Sequence, residues 1–151
     1  MSNYNTVEAA VLTLIQAIST VSSDDITRGD YSVMDSGRDN IAVITPGAID
    51  QPDARSRMSY YEWDVLIDVI RRYIDDGSTS VSFIQWRDSI MTQLESYPTL
   101  DGVTGVLRTR IRTEGDPDDI FDDDDAGPFF KVQRLRLTIT QRIDLTGGEY
   151  A

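Results

Sequence analysis

The chain contains neither cysteine nor histidine. That removes the thiol nucleophile, the disulfide, the imidazole base and the ordinary zinc site, and it excludes Ser-His-Asp catalysis. An enzyme would be left with paired carboxylates, or with magnesium or calcium held by carboxylates. Acids are plentiful and densest from Glu114 to Asp125, where Asp118, Asp119 and the run Asp122, Asp123, Asp124, Asp125 contribute to eight acids in twelve residues. A calcium loop of the EF-hand type needs alternating ligands, a glycine at its sixth position and a glutamate at its twelfth, and neither register through this insert supplies them. A carboxylate hydrolase needs two acids with separated pKa values in an apolar cleft, whereas these acids read as an open, solvated loop. The sequence therefore points to no catalytic residue, no metal and no cofactor.

The basic residues are more informative. Arg108, Arg110 and Arg112 alternate with Leu107, Thr109 and Ile111, while Arg134 and Arg136 alternate with Leu135 and Leu137. Side chains two apart share one face of a strand, so two such strands make a guanidinium patch able to grip carboxylates or phosphates bidentately. Two readings compete. The arginines pair within the chain with Glu62, Asp64 and Asp68, or they form a subunit interface with Asp118, Asp119 and Asp122 to Asp125 of a neighbour.

The elements that must position these residues follow from periodicity. Val7, Val11, Leu14, Ile15 and Ile18 predict a helix from about Thr6 to Ile18, with Thr6 as its cap. A short strand is expected near Tyr31 to Met34, and a stronger one at Ile41 to Ile44 that Pro46-Gly47 ends. Residues 48–59 read as a long exposed loop. From Tyr60 to Tyr73 the period becomes two, with Tyr61, Trp63, Val65, Ile67 and Val69 opposite Glu62, Asp64 and Asp68. Ser82 and Gln85 read as a capping box for a second helix whose apolar stripe is Phe83, Trp86, Ile90, Met91, Leu94 and Tyr97, stopped by Pro98. Strands at Val106 to Thr113 and Phe129 to Ile143 flank an exposed loop over 114–128.

This order predicts an α+β fold: a mainly antiparallel sheet of four to five strands with two helices packed on one face. Ile41, Val43, Trp63, Val65, Ile67, Leu107, Ile111, Leu135, Leu137 and Ile139 should face the helices. The hydrophobic content looks too low for a second buried layer.

Composition bounds the class. The 151 residues suit a single domain over 1–151, and the formal charge is −12 with 40% hydrophobic residues. The acids are 21 Asp to 5 Glu and the bases 13 Arg to one Lys, Lys131. Short, strongly hydrated carboxylates with few long lysine stems suit a protein that works in concentrated salt, and the same acidity disfavours sequence-reading nucleic-acid binding. No run of apolar residues reaches the length of a membrane span.

The succession of elements resembles that of the tail terminator, or tail completion, proteins of long-tailed phages. The residues that carry the resemblance are the N-terminal helix Thr6-Val7-Glu8-Ala9-Ala10-Val11, the aromatic strand Tyr61-Glu62-Trp63-Asp64-Val65, and the helix ending in Leu94-Glu95-Ser96-Tyr97-Pro98. To these is added Gly127 to Leu137 behind an acidic loop. The resemblance implies a structural virion protein without enzymatic activity, assembled in the host cytoplasm. It would form a homohexameric ring at the head-proximal end of the tail tube, end tube polymerisation and offer a docking surface to the head-tail connector, with DNA passing through the lumen unbound. With the salt-adapted composition, the expected source is a haloarchaeal tailed virus. A head-tail connector or stopper ring is the neighbouring alternative; a small halophilic carboxylate- or metal-dependent enzyme or binding module is the alternative of another class.

Overall fold

The computed structural model describes residues 3–18, 25–36, 38–55, 58–121, 128–144 and 149–150. In chain order the elements are α1 (Asn3–Gln16), β1 (Ile26–Arg28), a 3-10 turn (Tyr31–Ser36), β2 (Asn40–Arg55), β3 (Met58–Arg72), α2 (Asp76–Glu95), β4 (Val106–Phe121), β5 (Pro128–Asp144) and β6 (Glu149–Tyr150). The sheet runs β1-β2-β3-β5-β4, with the two-residue β6 paired to β5. Among the described residues only the β1–β2 pairing is parallel. The fold is α+β, as the sequence predicts.

The alternating residues of the central strands fill the main core. Trp63, Val65, Ile67 and Val69 of β3 and Leu135, Leu137 and Ile139 of β5 are buried against Val7, Val11 and Ile15 of α1 and Phe83, Trp86, Ile90 and Leu94 of α2. The two tryptophans satisfy their indole N–H groups inside this core. Trp86 donates to the Ile41 carbonyl at 2.9 Å, and Trp63 donates to Gln141 Oε1 at 2.9 Å. Gln141, itself fully buried, donates onward to the Thr104 carbonyl. The two indoles and the Gln141 amide taken out of water thus find partners.

Several boundaries differ from expectation. Thr6 lies inside α1 rather than capping it. Residues 31–34 form a 3-10 turn, and the short strand is instead Ile26–Arg28. Helix α2 starts six residues ahead of Ser82; its cap is Asp75, whose carboxylate accepts from Ser78 N at 2.8 Å. Tyr97 lies beyond the helix and is exposed.

The two expected loops are hairpins. β2 continues through 48–55 and β3 begins at Met58, so the 48–59 segment is mostly paired strand. Pro46 and Gly47 do not stop β2, because the register jumps there from Pro46↔Val65 to Ile49↔Trp63, a bulge. Past Ile44, β2 has no neighbour on its outer side among the described residues, so the missing proline N–H costs no ladder bond. In the same way β4 runs on through the acidic stretch to Phe121, paired with β5. Of the 114–128 segment only 122–127 lie outside the described residues.

Two face assignments also change. A bulge between Val106 and Arg108 turns Leu107 out to 48% exposure and buries Val106 in its stead. Ile41 and Val43 point away from the helices and, with Ile70 and Val33, make a second small cluster beside the 3-10 turn. The chain covers part of the far sheet face with that turn, so a second buried patch exists where too little apolar content was expected.

Candidate functional site

The remainder of the far face is charged, and its order follows from register. Across β3, β5 and β4 the rows read Asp68–Arg134–Glu114, Leu66–Arg136–Arg112, Asp64–Thr138–Arg110 and Glu62–Thr140–Arg108. The period-two alternation of each strand brings these residues to one face, and the register aligns them.

The centre of this face is internally paired. Arg134 grips Asp68 with Nε and Nη2 at 2.8 and 3.1 Å, and Tyr31, reaching in from the 3-10 turn, donates its hydroxyl to the same carboxylate. Arg136 bridges two acids, with Nη1 to Asp64 Oδ2 at 2.5 Å and Nη2 to Glu114 Oε1 at 2.7 Å. Thr138 donates to the other oxygen of Asp64 at 2.9 Å. These contacts favour the charged guanidinium forms: the bond to Asp68 raises the Arg134 pKa, and the bonds to Glu114 and then Asp64 raise that of Arg136. Burial, together with the hydrogen bond to Asp68, pushes the Tyr31 hydroxyl up to about 12.

The β4 side differs. Arg108, Arg110 and Arg112 are exposed, and among the described residues none of them forms an ion pair; Arg108 makes only a long contact of 3.5 Å to Thr140 Oγ1. With Glu62, Asp64, Thr138 and Thr140 they line a shallow concavity of about 240 Å³. Arg112 sits directly opposite Arg136, like charge against like. The surface has the chemistry of a carboxylate or phosphate clamp.

The two readings of the arginines therefore divide between strands. Arg134 and Arg136 are intramolecular partners of Asp68, Asp64 and Glu114, the first of the two readings. Arg108, Arg110 and Arg112 carry no such pairing. Asp119 is held by Lys131 at 2.9 Å, so it too is paired within the chain. Asp118 is exposed and, with Asp116 and Ile120, edges a groove below Tyr31 and Met34. Asp122, Asp123, Asp124 and Asp125 lie outside the described residues.

Thr138 and Thr140 were missed, although they continue the two-residue period of Arg134 and Arg136 and were legible from it. Tyr31 was not, because a 3-10 turn carries no periodic signal. Among the described residues no three acids converge in a way suited to an ion, and no described helix is long and apolar enough to cross a membrane. No protein-family model matches the chain, and no curated protein matches it significantly.

Proposed function

We propose that the chain is a structural virion protein of a salt-adapted tailed virus: a tail terminator whose copies form a ring on the head-proximal end of the tail tube. In this reading the ring ends tube polymerisation and receives the head-tail connector. The observation that supports it best is the pair of long hairpins leaving opposite ends of one sheet. The β2–β3 hairpin turns beside the end of β5 at Asp144, whereas the β4–β5 hairpin turns beside the end of β3 at Arg72. A subunit with a different arm at each end suits heterologous, head-to-tail contacts, and such contacts generate rings when the rotation closes. The charged face supports the same reading, since it offers an electrostatic surface on which a neighbouring subunit or virion protein could find complementary charge.

Salt adaptation is proposed on composition. A charge of −12 on 17.0 kDa repels itself when counter-ions are dilute. Thermal melts should fall steeply from molar KCl to about 0.1 M, where the Debye length is roughly 10 Å. A flat profile removes this part of the proposal.

The function is tested by adding the purified chain to polymerising tail tube protein at molar salt and imaging the tubes. Rings at one tube end with arrested growth are expected. Tubes that grow unchanged and bare overturn the reading, and rings that bind the portal-side connector but leave tube growth untouched move the protein to the connector.

A further inference from the structure

β4 is the outermost strand of the sheet, and among the described residues it pairs only with β5. Its other edge presents unpaired backbone groups along a strand running from Val106 to Phe121. Such edges invite pairing with another chain. The charges along this one are ordered. On the face opposite the helices it carries Arg108, Arg110 and Arg112, then Glu114, Asp116 and Asp118. Three positive charges are followed by three negative ones at alternate positions, with Thr113 between them.

That pattern is its own complement in one orientation only. When two β4 edges run antiparallel about a twofold axis at Thr113, Arg112 faces Glu114 of the second copy, and because Glu114 to Asp118 span only two positions of β5, Asp118 comes opposite Arg110, with Asp116 in the bulge between them and Arg108 just beyond. Each pair occurs twice. Parallel pairing in register would set like against like, and an antiparallel slip of two residues leaves terminal charges without partners. We propose that a second copy of this chain docks on the β4 edge in this twofold register, making the free chain a dimer in solution.

Three features agree with this occupant. Arg108, Arg110 and Arg112 lack acid partners among the described residues, in a protein with nearly twice as many acids as bases. Arg112 lies beside Arg136, whose acids Asp64 and Glu114 are already engaged, so a carboxylate for Arg112 can come from Glu114 of a second copy. Finally, the ladder to β5 is irregular between Glu114 and Asp118, where Gly115 has φ +75° and Pro117 has no N–H to give. Main-chain pairing between copies is therefore confined to a few residues about Thr113, and the flanking charges set the register. The same bulge and proline keep the edge from extending into an open stack of sheets. A twofold contact closes at two copies and cannot by itself close a ring, so this inference stands whether or not the ring does.

The absence of cysteine gives a clean test. Opposed residues of antiparallel strands have Cα atoms about 4.5–5.5 Å apart, within the range a disulfide spans. Thr113 is exposed and is the only β4 residue that meets its own copy in this register. T113C under mild oxidation should yield a covalent dimer of twice the 17.0 kDa chain mass. L107C, also exposed but several strand positions from its own copy in this register, should cross-link slower by on the order of tenfold. Placed in the T113C background, R108E/R110E and D116R/D118R should each lose the fast cross-link, because each sets like charges together. An equimolar mixture of the two should regain it, as every facing pair is then opposite in sign. Circular dichroism verifies that each variant is folded. Cross-linking of T113C no faster than L107C overturns the proposal. So does a mixture that recovers nothing while both variants remain folded.

Discussion

The two faces of this sheet were built by the same alternation, yet they behave differently. On the helix side, position along the strand is enough to fix a residue's role: Trp63, Val65, Ile67 and Val69 are all buried because every second residue meets α1 or α2. On the far side, position across the sheet decides. Arg134 and Arg136 on β5 have acids on both flanking strands and are neutralised, whereas Arg108, Arg110 and Arg112 on β4 have, among the described residues, a neighbouring strand on one side only. Apolar burial is non-directional and tolerates this simplicity, but an ion pair needs a particular partner at a particular register.

The comparison can be broken most forcefully from the core. Trp86→Ala removes a 2%-exposed indole and leaves the Ile41 carbonyl without its donor, and it should cost about 3–5 kcal/mol in chemical denaturation. Trp63→Ala should behave similarly, since Gln141 then loses its indole partner inside the same core. A loss below about 1 kcal/mol for both would place them outside a shared core.

Next in size is the centre of the charged face. Asp64→Ala takes a carboxylate from both Arg136 and Thr138, and a loss of about 1–2 kcal/mol is expected, reduced from the value for buried charged hydrogen bonds by partial exposure. Gly47→Ala should lower stability as well: a Cβ there would stand 2.9 Å from Asp64 Cβ and from its carbonyl oxygen, so the bulge that lets β2 pass Pro46 would have to shift. A denaturant midpoint unchanged by Gly47→Ala would show that this close approach carries no constraint.

The Asp75 cap tests a local charge away from the sheet. Hydrogen bonds from the Ser78 backbone and side chain hold its carboxyl below the usual aspartate range. A carboxylate depressed on folding adds stability that is present above the unfolded pKa and is lost as pH falls through the folded one. Asp75→Asn, which still caps, should therefore flatten the acid limb of the pH–stability curve below about pH 4 while leaving neutral stability nearly unchanged. An unaltered acid limb would remove Asp75 from the account.

Smallest of all, Arg110→Ala should leave monomer stability within about 0.5 kcal/mol of wild type, as expected for an exposed charge without a partner. A larger loss measured at protein concentrations too low for association would mean that Arg110 is held by this chain after all.

How much of this could be read beforehand depends on what each residue's role rests upon. The α+β class, the long β3 strand and the stripe of α2 were legible because apolar periodicity is local. The hairpins were not: Pro46-Gly47 and Glu114 to Asp119 carry every compositional mark of loops, and they remain strands because the sheet edge excuses a missing N–H and leaves carboxylates in water. The inward turn of Val106 was hidden for a related reason, since a single-residue bulge reverses the face of Leu107 without altering the sequence pattern. At the site, the arginine rows were visible as rows. Their division into paired and unpaired strands needed the strand order, because nothing local to Arg110 or Arg136 says that β5 lies between β3 and β4.

That strand order also bears on how the chain is made. β3 completes its hairpin with β2 early, but its other edge is filled only by Pro128–Asp144, after α2 and all of β4 have been synthesised. Until then a long strand bearing Trp63, Val65, Ile67 and Val69 waits with one side open, at translation rates of about 5–20 residues per second. The β3–β5 seam joins residues far apart in sequence and closes slowly compared with either hairpin. During that interval Glu62, Asp64 and Asp68, spaced along the same strand, serve the nascent chain as gatekeepers against the wrong neighbour, before Asp64 and Asp68 serve the finished one as partners for arginine.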